Sequence, residues 1–384
     1  MQGRGKRLAA AATGLAVSLA VALGPGASAG GQALAGEQDC VAPLPGQLPN
    51  PDPGGRKLRF GIYPGGTAGQ VGPPAPATPD DPEKTLAALK DLRGGQRPFV
   101  THLYLNYRNP EQAKQVLDDL EIEGRRYARA GFKLEYVITY RPEREGGDVP
   151  GFLAYVRKVV RRLAPVGRFK ELQVTNEANQ TATPDSSDGA FAGARDALVQ
   201  GLPAAKHELR RLGRGDVEVG FNWFYRTDPA NETEFWDYID NQGGERFQRA
   251  LDWVGLDAYP GTFFPPTTSD YRSSMVTAFI VLRRCYMPMG DISGDVPIHV
   301  TENGYPTDLA ARTEANQATA LEQMVQATHD YRAKYNISDY RWFDLRDADS
   351  ESPSFGQHYG LLHDDYTPKP AFAVYRDLID ELSR

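Results

Sequence analysis

Two cysteines, Cys40 and Cys285, are all that 384 residues contain. So few thiols exclude a four-thiolate zinc site, and neither a Cys-x-x-Cys nor a His-x-x-x-His spacing occurs. Neither a metal nor a cofactor is expected. Beyond the N-terminal segment no apolar run approaches the roughly 20 residues that span a bilayer. Basic charge is also short: 43 Lys and Arg stand against 50 Asp and Glu, a formal charge of −7. That balance argues against nucleic acid or an anionic membrane as partner. No G-x-G-x-x-G follows the first apolar run, where an open doubly wound sheet often carries one for a dinucleotide.

What the chain does have at its start is a leader. Arg4, Lys6 and Arg7 precede the apolar run 8–23, and Ala27-Ser28-Ala29 offers a small-residue cleavage site. Residues 1–29 therefore read as a secretory signal peptide, and the mature protein as secreted, extracellular and monomeric. Its removal takes three basic and no acidic residues, moving the formal charge from −7 to −10. Residues 30–57, with Pro43, Pro45, Pro49, Pro51 and Pro53, read as an extended lead-in.

From residue 58 onward, short β-branched or aromatic runs recur at 58–63, 99–105, 134–140, 172–176, 217–223, 253–258, 298–301 and 340–345. Amphipathic segments lie between them, for example 110–130, 151–163, 190–212 and 316–335. The strand ends fall 35 to 46 residues apart, and the alternation repeats eight times. This is the pattern of an α/β protein of the (β/α)8 TIM-barrel type, a single domain over 58–384. In such a barrel Cys285, near the end of the helix after strand six, lies low, as does Cys40 before strand one. A Cys40–Cys285 disulfide across the barrel floor is expected in an exported chain; two buried thiols are the other reading.

Two runs end in a carboxylate: Leu172-Gln-Val-Thr-Asn-Glu177 and Ile298-His-Val-Thr-Glu302-Asn-Gly304. Strand ends at the top of a parallel barrel are where such enzymes place their chemistry. Two carboxyls facing one gap are the minimal equipment for cleaving a glycosidic bond, one protonated and one ionised. Glu177 closes strand four and Glu302 closes strand seven. Asn176 offers an amide to a sugar hydroxyl, and Tyr259, just after strand six, is placed to donate to Glu302.

These residues resemble the clan A glycoside hydrolases, which are retaining (β/α)8 enzymes. That group carries an Asn-Glu acid/base at the end of strand four and a Glu nucleophile at strand seven. The resemblance implies that Glu177 is the acid/base and Glu302 the nucleophile. The stretch Val300-Thr-Glu-Asn-Gly304 looks like the nucleophile motif of family 1, although Ala178 stands where that family has proline. Trp342 falls in strand eight, where these enzymes commonly place a tryptophan under the sugar. The segment 359–372 resembles the turn into the last helix of such barrels.

Other candidates have two readings each. Asn222 and Trp223 after strand five, with Phe263 and Phe264 after strand six, are subsite walls or loop packing. Arg108 and Arg141 bond sugar hydroxyls, hold Glu302 ionised, or form structural ion pairs. Asp257 contacts substrate or supports its neighbours. Asp344, Asp347, Asp349 and Glu351 crowd the loop after strand eight, where a solvated acidic surface is favoured over a binding loop. His102 and His299 lie in strands and read as packing residues. Asn179, Asn231 and Asn336 stand in Asn-x-Thr/Ser triplets. The function expected is a secreted retaining β-glycoside hydrolase acting on a poly- or oligosaccharide. The rival function is that of a non-catalytic carbohydrate-binding barrel.

Overall fold

The computed structural model describes residues 47–66, 78–95, 98–109, 112–226, 228–308 and 312–383. Eight parallel strands close into a barrel in chain order. They are β1 (Arg59–Ile62), β2 (Phe99–Tyr107), β3 (Lys133–Tyr140), β4 (Phe169–Val174), β5 (Glu218–Phe224), β6 (Trp253–Ala258), β7 (Ile298–Asn303) and β8 (Ile337–Trp342). β8 pairs with β1, so no strand edge is left open. The outer layer holds α1 (Pro82–Arg93), α2 (Gln112–Arg129), α3 (Val149–Leu163), α4 (Ala194–Arg211), α5 (Pro229–Tyr238) and α6 (Gly244–Gln248). It continues with α7 (Tyr271–Val281), α8 (Met287–Met289), α9 (Glu314–Tyr331) and α10 (Pro370–Leu382). No helix among the described residues is long and apolar enough to cross a membrane.

The helix starts on the upper rim are written in the sequence. Asp81, Asp148, Asp228, Asp270 and Thr313 each accept a backbone N–H of the first turn of α1, α3, α5, α7 and α9. Proline follows within two residues in the first three, where its missing N–H costs nothing. These caps fix where the chain passes from each upper loop into its helix.

Two strands start earlier than the apolar runs indicate, β4 at Phe169 rather than 172 and β8 at Ile337 rather than 340. The reason is that the missed positions carry polar side chains that point into the barrel. Glu171, Asp339 and Arg341 are at most 1% exposed. Arg341 Nε lies 2.5 Å from Glu135, and its Nη2 bonds Glu171. Arg59 meets Glu171 at 3.0 Å and Asp339 at 2.7 Å. The lower half of this barrel is thus an ionic layer where an apolar one is usual. Within this layer His299 lies 3.3 Å from Asp339, and the Trp253 ring stacks on it with centroids 4.6 Å apart. Gly220 makes that possible, because a Cβ there would fall 2.2 Å from the tryptophan ring.

At the floor, the end of the lead-in runs along the C-terminal end of α9. Asp52 bonds the backbone of Asp330 and Ala333, and Tyr331 donates to the Pro49 carbonyl at 2.7 Å. Cys285 is half-buried in the π-helical segment Leu282–Tyr286 that joins α7 to α8. Cys40, and with it the expected Cys40–Cys285 bridge, and residues 1–29 lie outside the described residues.

Candidate active site

Glu177 and Glu302, 125 residues apart in sequence, meet at the top of the barrel. Carboxylate oxygens of Glu177, Asp257 and Glu302 all lie within 4.8 Å of one another. The three groups are almost fully buried.

Glu177 stands on a turn that the backbone adopts reluctantly. Thr175 and Glu177 have φ of 67° and 49°, the left-handed region that a β-branched residue rarely enters. Asp188 holds that turn: its Oδ2 accepts the backbone N–H of Asn176 at 2.7 Å and of Tyr140 at 2.6 Å. Asn222 Oδ1 accepts the N–H of Glu177 itself at 2.7 Å. Ser187 donates its hydroxyl to Glu177 Oε2. Burial and the neighbouring Glu302 charge push the Glu177 carboxyl well above the usual carboxylate range, with Ser187 and Arg141 pulling the other way.

Glu302 is held by two phenols. Tyr259 donates to Oε2 at 2.5 Å, and Tyr104 donates to Oε1. Burial and the Glu302 charge raise both tyrosines well above their ordinary value, which keeps them donors at any physiological pH. Asp257 accepts from Thr301 Oγ1 at 2.6 Å and from the Asn222 amide. It too is raised well above its ordinary value, by burial and then by Glu302 and Glu177. The pair thus has the asymmetry that acid–base chemistry requires: a carboxyl kept protonated beside one that accepts two hydroxyl donors.

The remaining candidates separate by strand parity, since alternate side chains face the barrel interior. Asn222 points inward, so Trp223 points outward; it is 0% exposed and donates to Glu232 among Trp236 and Tyr286. Asp339 and Arg341 point inward, so Trp342 points outward and is likewise 0% exposed in the core. Their neighbours Phe224 and Phe343 take the inward places. With Tyr259 and Tyr359 they form a separate aromatic cluster, bordered by Tyr63, Tyr104, Phe263, Phe264 and Phe355. The tryptophans were the natural choice by size, but parity assigns the mouth to phenylalanines one residue on.

Asn176 donates its amide to the Ser186 carbonyl at 3.0 Å and accepts from Asn222 at 2.8 Å. Arg141 binds the carbonyls of Asp185 at 2.9 Å and Ser186 at 2.5 Å, and Asp188 at 3.4 Å. It therefore fixes the loop that carries Ser187. Arg108 is exposed at the rim. The acidic loop after β8 is only partly a solvated surface. Asp344 and Asp347 are at most 2% exposed, and Asp347 pairs with Lys369 at 2.7 Å. Asn179 is also enclosed, bonded to the backbone of Phe224. Ser187, Asp188 and Tyr104 escaped sequence reasoning. The first two act through a loop whose path no local pattern reveals, whereas Tyr104, an inward aromatic at the top of a strand, was recognisable by parity.

A second cluster, Glu171, His299 and Asp339, has comparable spacing, but Arg59 and Arg341 already bring positive charge into it. In the upper cluster, hydroxyls and an amide occupy the same carboxylate oxygens.

No protein-family model matches the chain. Solved structures match it over most of its length. A GH5_18 protein from Streptomyces cattleya in complex with GlcNAc superimposes with a TM-score of 0.58 at 15% identity, covering 86% of this chain and 81% of that one. A β-glucosidase superimposes with a TM-score of 0.57 at 16% identity, over 85% of this chain and 98% of the other. The chain shares the barrel of the glycoside hydrolases. A family 39 glycoside hydrolase from Bacteroides cellulosilyticus gives a TM-score of 0.54 at 16% identity, over 88% and 66% of the two chains. In sequence, a probable glucan endo-1,3-β-glucosidase of Aspergillus niger is 23% identical over 163 residues, 42% of this chain. That match spans only 32% of the fungal protein. The resemblance to clan A barrels therefore holds at the level of fold, and activity must be argued from the site.

Proposed function

We propose that the protein is a secreted retaining β-glycoside hydrolase that cleaves an oligo- or polysaccharide by double displacement. The observation that carries this reading is the approach of Glu177 and Glu302 to within 4.8 Å. A retaining enzyme needs its carboxyls about 5–5.5 Å apart, whereas an inverting one leaves about 6.5–9.5 Å for a water. Glu302 attacks the anomeric carbon, and Glu177 protonates the departing oxygen. Glu177 then takes a proton from water as the glycosyl-enzyme is hydrolysed. The aromatic cluster around Phe224 and Phe343 packs against the apolar face of the sugar.

Secretion rests on the leader at residues 1–29, and the Cys40–Cys285 bridge on the redox state of that compartment. The test is a screen of chromogenic glycosides and of plant, fungal and bacterial polysaccharides, with the anomer of the first-formed product read by NMR. Retained configuration, together with loss of turnover in Glu302→Ala, supports the assignment. An inverted product, or normal turnover in Glu302→Ala, ends it.

A further inference from the structure

Both donors to Glu302 are neutral phenols, and the arginines the sequence offered as counter-charges are placed elsewhere. A histidine lies one step behind Tyr104. That phenol oxygen is 2.8 Å from Nε2 of His102, whose Nδ1 is 2.9 Å from Oε2 of Glu135. The same Glu135 oxygen is 2.5 Å from Arg341 Nε. A hydrogen-bonded chain therefore runs from Glu302 on β7 through Tyr104 and His102 on β2 to Glu135 on β3, which is ion-paired with Arg341 on β8. His102 is 1% exposed and Glu135 0%, so water does not complete these contacts.

Counting hydrogens along this chain fixes its state. Tyr104 has one hydroxyl hydrogen, and the ionised Glu302 takes it. The phenol oxygen must then accept from His102 Nε2, which requires a hydrogen on that nitrogen. Burial opposes a charge on Glu135, but Arg341 and His102 together hold its carboxyl below the usual range. An ionised Glu135 can only accept, so Nδ1 must carry hydrogen as well. With Glu135 and Glu302 both ionised, any other assignment leaves two acceptors facing each other in a buried site, which is costly.

We propose that His102 is a buried imidazolium that acts through the Tyr104 hydroxyl to keep Glu302 ionised for attack. Tyr104 touches the reacting carboxylate, whereas His102 is a positioning residue behind it. The groups around His102 agree with this charge. Glu135 faces it directly, with Arg341 beyond, while Glu302, Asp257 and Glu177 lie on the far side of Tyr104. His299, the other histidine near Glu135, is pushed down to about 3 by burial and stays neutral. The ionised state of Glu302, and with it the catalytic consequence, rests on the glycosidase reading.

The test is ¹⁵N NMR of the purified protein labelled at histidine, recorded from about pH 5 to 8, the range in which ordinary histidines titrate. His102 is assigned by the signals that vanish in His102→Gln and shift in Tyr104→Phe, which keeps the ring volume. Both ring nitrogens are expected at imidazolium positions at neutral pH. Signals of a neutral ring there overturn the proposal, whether or not the enzyme is active. In kinetics, His102→Gln is expected to move the acidic limb of the kcat/KM profile up by about one pH unit and to leave the alkaline limb in place. An unmoved acidic limb in folded His102→Gln likewise refutes the proposal. Wild-type protein with an imidazolium at His102 but no glycosidase activity would remove the functional reading and leave the charge state standing.

Discussion

Asn222 accepts the backbone N–H of Glu177 at 2.7 Å and donates its own amide to Asp257. One side chain thus sets the height of the acid and the orientation of the third carboxyl. The residue was a candidate for sugar contact, but protein groups engage both ends of its amide. Replacing it should therefore act on the chemical step. Asn222→Ala is expected to lower kcat by roughly 10²-fold with little change in KM, the signature of a group needed in the transition state. Steady-state kinetics on one chromogenic substrate decide this. A change confined to KM would mean that Asn222 binds sugar.

The alkaline limb of activity should report Glu177. As an acid it must carry its proton, so activity is lost as pH rises through its raised pKa. Ser187 donates to the ionised form and so favours proton loss. Ser187→Ala removes that donor and is expected to move the alkaline limb to higher pH. The kcat/KM profile checks it, and a shift to lower pH would contradict the assignment.

The aromatic residues offer a comparison within one strand. Phe343→Ala takes a ring from the mouth and is expected to raise KM about tenfold, on the scale of one lost aromatic contact. Trp342→Phe should leave KM unchanged and instead lower the urea midpoint, because the indole is packed in the core. The reverse pattern would place Trp342 under the sugar.

Acid stability should depend on His299. Its native pKa of about 3 lies below the ordinary 6.5 because burial disfavours the charged ring. Between those values the unfolded chain binds a proton that the native state refuses. This contribution to stability is full above about pH 6.5 and is lost as pH falls towards 3. The slope amounts to about 1.4 kcal/mol per pH unit. Urea unfolding at several pH values should show a shallower dependence for His299→Gln.

The barrel was legible because alternation of strand and helix is a property of the chain alone. That Glu177 and Glu302 would meet at the barrel top was legible because each closes an apolar run. Legibility failed wherever a residue departs from its type. Glu171 and Asp339 face inward as charges and so shortened β4 and β8 to the eye. Trp223 and Trp342 are large and near the rim, yet one step of parity turns them away from it. Ser187 and Asp188 matter through a loop whose path depends on Arg141, and no pattern of spacing records that. His102 was read as packing because Glu135, the carboxylate it meets, comes from the neighbouring strand.

The ionic floor bears on how this lineage can change. The buried Arg341 and the partly exposed Arg59 meet the buried Glu135, Glu171 and Asp339 in one network. Losing a single member strands the others without solvent, at about 3–5 kcal/mol. Relatives are therefore expected either to keep all five identities or to exchange several together for apolar side chains. Isolated replacements should be rare, so a family tree of this barrel would show the floor altering in jumps while the loops above it drift.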